Sequence, residues 1–327
     1  NGITSGNPMV FTADADNYGA TATYNMHIGW SSPGNNFGDG ALKIVRGTYS
    51  FPTVVIGMPQ ANPTESGYLC LANDDGSVTF SATNSGSKNA LEVNNGEFYS
   101  TNATVNIAGN ILLGNQNYST AKMVFNGGTL TQGKAYFCVA YAEGAEAVVE
   151  KNGVDWMLGN TTGSRQDGRL YVGNKPGTRA EFYHRGGTLV TRQYICIGAF
   201  NSSDATKSGY AYFELDGGVV SNMANTIIIS DGTGTASDKA VLRVKSGTLA
   251  ANTDMEVGKK YRGELIMDGG VADVSRGAIT IAGGVAGTDS AIVLSNGVVK
   301  TRSISVISDG AANASILFDG GTLQAAQ

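Results

Sequence analysis

The 327-residue chain is short of most residues that usually carry chemistry. It has two histidines, His27 and His184, and three cysteines, Cys70, Cys138 and Cys196. An odd number of cysteines cannot be fully paired, so no disulfide framework is expected. Charged residues make up only 15%, with a net charge of −5 and no cluster of lysine or arginine, which argues against a nucleic-acid partner. No apolar run approaches the ~20 residues needed to span a bilayer. No signal peptide is visible, and a start at Asn1 rather than Met suggests a processed or excised piece. No stretch of 12 or more residues has a helical period. The 46 glycines do not fall at every third position, which excludes collagen, and 41% apolar residues argue against disorder.

What is abundant is a repeat. A glycine punctuates "MVFNGGTL" (123–130), "FYHRGGTL" (182–189), "FELDGGVV" (213–220), "LRVKSGTL" (242–249), "LIMDGGVA" (265–272) and "ILFDGGTL" (316–323). "LKIVRGTY" (42–49), "LEVNNGEF" (91–98) and "IVLSNGVV" (292–299) fit the same frame, and "VVEKNGVD" (148–155) is a degenerate copy. From Gly96 to Gly321 the marker recurs in eight steps of roughly 28 residues, a spacing typical of stacked repeats. A second alternating run follows each marker, such as "VVIG" (54–57), "ILLG" (111–114), "ICIG" (195–198) or "MEVG" (255–258). Short β-branched runs of period two, bounded by turn residues, are strands. Strands that return once per repeat cannot bury an apolar face alone, so the repeats must stack. The expected fold is all-β, a right-handed parallel β-helix of about ten to eleven coils, the hand following from the crossover preference of parallel strands. An antiparallel sandwich is the alternative, disfavoured because sandwiches seldom keep so uniform a period. Residues 1–40 are expected to form a strand-rich entry or cap, and residues 41–327 the solenoid.

Stacking the second runs in columns separates two faces. The pairs Val54/Ile56, Ile111/Leu113, Ile195/Ile197, Ile227/Ile229, Met255/Val257 and Ile279/Ile281 are always apolar and should face inward. The column between them, Val55, Leu112, Cys138, Cys196, Ile228, Glu256 and Thr280, accepts charge and hydroxyl and should face outward. Its first half is apolar enough to call for a covering loop, element or partner. Cys138 and Cys196 then lie at equivalent places with at least one coil between them. Their Cα atoms would be about 10 Å apart, too far for a disulfide. Cys70 belongs to the other strand of its coil.

Candidate chemistry is sparse. "NTD" (252–254) matches the first motif of polygalacturonase-like hydrolases, but their other catalytic motifs are missing. "NDDG" (73–76) offers an acidic pair in a turn context. "GGVAGTD" (283–289) is one residue longer than a calcium-binding glycine-rich repeat, and "DADN" (14–17) supplies only oxygen ligands. Nothing has the spacing of a zinc, phosphate or nucleophile motif. No catalytic, cofactor or metal residue is assigned. One pair stands out. Three residues before the marker glycine the sequence reads Ile44, Val93, Phe125, Leu215, Val244, Met267, Leu294 and Phe318, but Glu150 and His184 in two consecutive copies. Polar groups in an inward column are costly unless paired. The pair is a buried acid–base couple, a structural hydrogen bond, or the mark of a bulge that turns one residue outward.

The "GGTL/GGVV … IxIG" cadence resembles the glycine-rich repeats of autotransporter passenger domains and similar large secreted bacterial β-solenoids. The resemblance runs from about residue 40 to the end. It implies a non-enzymatic adhesive or structural scaffold, extracellular or at the cell surface, with surface glycans among its partners. The alternative is a polysaccharide-processing β-helix or glycan-binding module. The last repeat lacks the departure from pattern that caps a solenoid. Ile316, Phe318 and Leu323 would therefore stay bare unless the chain continues or a second copy stacks head to tail. "MVFTADAD" (9–16) and "YNMHIGW" (24–30) would then act as the receiver.

Overall fold

A computed structural model describes residues 9–11, 19–21, 25–29, 40–57, 66–73, 78–85, 88–133, 135–159, 168–200, 208–232, 237–283, 289–308 and 313–326. The chain is all-β and forms a parallel β-solenoid of roughly nine turns, slightly fewer than expected, with about 27 residues per turn. Among the described residues no helix is long and apolar enough to cross a membrane.

Each turn contributes a strand to three parallel ladders. Thr120–Asn126, Glu146–Asn152 and Arg179–Arg185 are successive rungs of the first. Thr129–Gln132, Asp155–Leu158 and Thr188–Thr191 belong to the second. Tyr136–Val139, Arg169–Val172 and Ile195–Phe200 belong to the third. The sequence suggested two strands per turn. The short "TLTQ" run after the marker glycine is a third, because a corner on each side isolates it.

The third ladder also explains a misplaced repeat. In "LEVNNGEF", Leu91 pairs with Val54 and Val93 with Ile56, so this run lies in the third ladder. Gly96 opens the following strand of the first ladder, opposite Gly67 and Ala121. Ser100, not Val93, is the neighbour of Phe125 in the inward column. All three ladders have period two, so alternation alone cannot assign a run to one of them.

The inward pairs of the third ladder, among them Ile195/Ile197 and Ile227/Ile229, join one continuous core with the inward residues of the other two. An aromatic spine runs through this core. Ring centroids are 6.4 Å apart for Phe80–Phe98, 5.4 Å for Phe98–Phe125, 4.9 Å for Phe125–Trp156, 5.7 Å for Trp156–Phe182 and 4.9 Å for Phe182–Phe213. Turns that stack one strand spacing apart bring successive inward aromatics into tilted, edge or stacked contact.

The marker glycine is needed because corners stack as closely as strands. Gly187 has φ +70°, and a Cβ there would lie 2.2 Å from the Val154 carbonyl oxygen of the preceding turn. Gly153 has φ +65°, yet a Cβ there would meet nothing within 4 Å. Both positions carry the cost of a left-handed backbone, about 1–2 kcal/mol for an L-residue. Only Gly187 adds a backbone clash. We expect Gly187→Ala to destabilise by about 1–3 kcal/mol more than Gly153→Ala, a typical overpacking cost, measured by urea unfolding. Equal losses would mean that backbone conformation alone selects glycine at these corners.

Candidate functional site

The polar pair in the core is not the one suggested by the sequence. Glu150 lies opposite Tyr183, and Lys151 lies opposite His184. The inward column reads Phe125, Lys151, His184, Leu215. The cause is one glycine fewer at the corner. "NGGT" in one turn becomes "NGVD" in the next, with Thr129 opposite Asp155. Val154 therefore stands where the other turns have the marker glycine, and counting three back from Gly153 lands one residue early. Glu150 faces outward, where Lys122 (3.0 Å) and Arg185 (3.3 Å) flank its carboxylate. Partial burial works to raise the Glu150 carboxyl, but the two cations outweigh it and hold it below its usual range.

Lys151 and His184 are both fully buried. Lys151 Nζ donates to the Gly186 carbonyl at 2.8 Å. Burial pulls the ammonium down to about 7, opposed only by the charge of Asp155. Burial also pulls the imidazole of His184 down to about 3; the neighbouring Lys151 charge adds to this, and the Gly187 backbone opposes it. Neither ring nitrogen of His184 has a hydrogen-bond partner of good geometry, nor does Nε1 of the buried Trp156. Asp155 is turned to solvent and bonded to Thr188 through both backbone N–H (2.9 Å) and hydroxyl (2.7 Å). The cluster lies in the core, out of reach of a substrate in solvent, so its polarity costs stability and offers no exposed acid or base.

The cysteine column faces away from the main core, as expected, but its first half is covered. In register it reads Leu112, Cys138, Tyr171, Cys196, Ile228, Glu256, Thr280, so Tyr171 separates the two cysteines. Leu112, Cys138, Cys196 and Ile228 are buried, whereas Glu256 and Thr280 are partly exposed. Cys196, Ala199 and Ile228 form a small apolar cluster of their own, with Tyr171 and Tyr194 packed against it. Tyr136 stacks on Tyr141 (6.3 Å) and meets Tyr171 edge-on (6.2 Å). None of the three cysteines is in a disulfide. Burial pushes the thiols of Cys138 and Cys196 well above the ordinary range. Cys70 lies in the first ladder and is partly exposed. Maleimide labelling of the native protein should modify Cys70 alone, and all three thiols after denaturation. Rapid native labelling of Cys138 or Cys196 would mean that the tyrosine cover opens.

The outward side of the first ladder carries paired charge. Arg179–Glu181 (2.6 Å) and Arg262–Glu264 (2.6 Å) are bridges within a strand. Lys239–Glu264 (2.9 Å), Arg243–Asp268 (2.5 Å) and Lys245–Asp216 (2.8 Å) tie neighbouring turns together. The Arg179 and Arg185 guanidinium groups lie 5.1 and 4.8 Å over the rings of Tyr210 and Tyr183. Among the described residues no group of three His, Cys, Asp or Glu is placed to hold a metal.

The remaining sequence candidates separate. Asp254 accepts the Ala278 N–H at 2.8 Å, which is a corner contact between turns. Asn73 donates to the Asn102 carbonyl at 3.0 Å, while Asp74 and Asp75 lie outside the described residues. So do "DADN" and most of "GGVAGTD". At the C-terminal end Ile316 is 39%, Phe318 59% and Leu323 45% exposed, on strands Asn313–Phe318 and Thr322–Ala325 that pair on one side only.

These features define a parallel β-solenoid with a mainly apolar core and an outer face on which charges are paired. No family model, no curated protein and no solved structure is significantly similar to the chain.

Proposed function

We propose that the chain is a non-enzymatic structural or adhesive scaffold, extracellular or displayed at the cell surface, as its glycine cadence suggested. The observation that supports this reading is how the carboxylates are used. On the first ladder Glu150, Glu264, Asp216 and Asp268 are each matched to a cation on a neighbouring turn. Charges arranged this way serve cohesion between turns, whereas hydrolysis of a glycan would call for carboxyl groups that converge on one bond. An antibody raised against the solenoid should label intact cells of the source organism, and incubation with polysaccharides should release no new reducing ends. Labelling that requires permeabilised cells would overturn the location, and release of reducing ends would overturn the non-enzymatic assignment.

The same reading gives the exposed C-terminal face either the continuation of a longer chain or a second copy of this chain as its occupant; the second copy is the case that can be tested with this chain. The strands Met9–Phe11, Gly19–Thr21 and Met26–Ile28 run parallel to the turn that follows them, so they have the three-strand order needed to continue a ladder. Unpaired strand edges beside exposed Phe318 and Leu317 favour such an addition. Head-to-tail stacking does not close, so it builds a filament. Sedimentation should show assembly that grows with concentration and is lost in Phe318→Asp. A concentration-independent monomer would sink the stacking idea.

A further inference from the structure

The outward column of the second ladder contains a dent. It runs Val190, Ser221, Ala250, Asp273, Lys300, so two small side chains lie between larger ones in consecutive turns. The missing volume opens a surface pocket of about 300 Å³, at the lower limit of ligand-site sizes. Ser221 and Ala250 form its floor, and Met223, Asn252, Asp273 and Arg276 stand around it. Three successive turns contribute, so the pocket spans about 10 Å along the solenoid axis.

Its polar groups are held in place by the fold. Asn252 Nδ2 donates to the Met223 carbonyl, and Asn252 Oδ1 accepts from the Arg276 guanidinium. Asp273 Oδ1 accepts the Ser275 N–H at 3.0 Å. Asn222 also borders the pocket, but its carboxamide turns to the inner side of the strand, where Nδ2 donates to Thr191 Oγ1 at 3.2 Å and to the Gln193 carbonyl.

We propose that this pocket binds one neutral hexose unit of a glycan. A carboxylate, a guanidinium, a carboxamide and two serine hydroxyls offer acceptors and donors side by side, which is what adjacent sugar hydroxyls require. The Asp273 carboxylate repels a uronic acid, and a single carboxylate flanked by the cations Arg276 and Lys300 is no metal site, which leaves a neutral ring. Met223 is 43% exposed and presents an apolar side to the C–H face of a sugar. This site rests on the adhesive reading and gives that reading a ligand class.

The test is saturation-transfer NMR of the intact chain with the methyl glycosides of glucose, galactose and mannose, and with methyl glucuronate. At least one neutral glycoside should show transfer, and it should bind more tightly than the glucuronate. Ala250→Phe fills the dent from the solvent side and should abolish the signal. Asp273→Asn keeps the side-chain shape, and Arg276→Gln removes the charge while keeping a polar donor on a shorter stem; each should weaken binding at least tenfold, so they carry the test if Ala250→Phe does not fold. No transfer from any neutral glycoside, undiminished binding in Ala250→Phe, or preference for the glucuronate would overturn the proposal. A surface-displayed chain that binds no sugar removes the pocket and leaves the scaffold. Sugar binding accompanied by new reducing ends leaves the pocket and removes the scaffold.

Discussion

Lys151→Met should make the protein more stable by about 1–4 kcal/mol, the range seen when a buried charge is exchanged for a well-packed apolar group. Methionine matches the lysine stem in length, and the same column already holds Phe125, Leu215 and Met267. The gain should depend on pH. The ammonium titrates near 7 in the folded chain and near 10.5 when unfolded. Between these values the unfolded state binds more protons, so wild-type stability rises with pH through that window. Below pH 7 both states are charged and the burial penalty applies in full. The advantage of Lys151→Met should therefore be greatest at neutral pH and below, and shrink toward pH 10.5. His184 acts in a second window. Its folded value of about 3 lies below the unfolded 6.5, so its share of stability is present above pH 6.5 and is lost as pH falls toward 3. His184→Leu should remove that acid sensitivity. Urea unfolding across pH, read as variant minus wild type, cancels the carboxylates and tyrosines elsewhere. A destabilised Lys151→Met, or a pH-independent difference, would show that the ammonium finds compensation in the core.

Trp156→Ala should be the most damaging single truncation, at about 3–5 kcal/mol. The indole is fully buried and makes edge contacts with Phe125 at 4.9 Å, Phe137 at 5.5 Å and Phe182 at 5.7 Å. It thereby bridges the turns on either side of the Lys151 strand. Stability in a stacked repeat is approximately a sum over neighbouring interfaces, so a loss here weakens one junction and leaves the others intact. The unfolding transition of Trp156→Ala should broaden or split as the two flanks uncouple. Trp156→Phe should cost less than half as much, because Nε1 has no partner to lose and most of the aromatic contact remains. Equal losses in the two variants would mean that the indole N–H is hydrogen-bonded in solution, for instance to a buried water.

The solenoid was legible because two features of it are local. Period-two runs mark strands wherever one face is buried, and a glycine recurs wherever a corner must pass within a strand spacing of the corner below. The inward assignment of pairs such as Ile195/Ile197 and the separation of Cys138 from Cys196 followed from those features alone. The candidate site was less legible. Glu150 was paired with His184 by counting from Gly153, and the true partner, Lys151, is one residue further on. The signal was present: aligning Asn152 with Asn126 instead of glycine with glycine gives the observed register. The sequence could not show which alignment holds, because a one-residue slip exchanges the faces of a strand and only the ladders on either side decide it.

The amino-acid sequence thus determined the all-β class, the approximate period, the inward pairs of the third ladder and the absence of a cysteine network. Alternation and punctuation are properties of neighbouring residues, and neighbours are what a sequence records. The tertiary structure decided which of three look-alike ladders each run joins, that Val93 leaves the column and Ser100 enters it, that tyrosines roof the cysteines, and that Ser221 and Ala250 meet to open a pocket. Each of these depends on residues about one turn apart, brought together only once every corner has taken its place and fixed the register of the next.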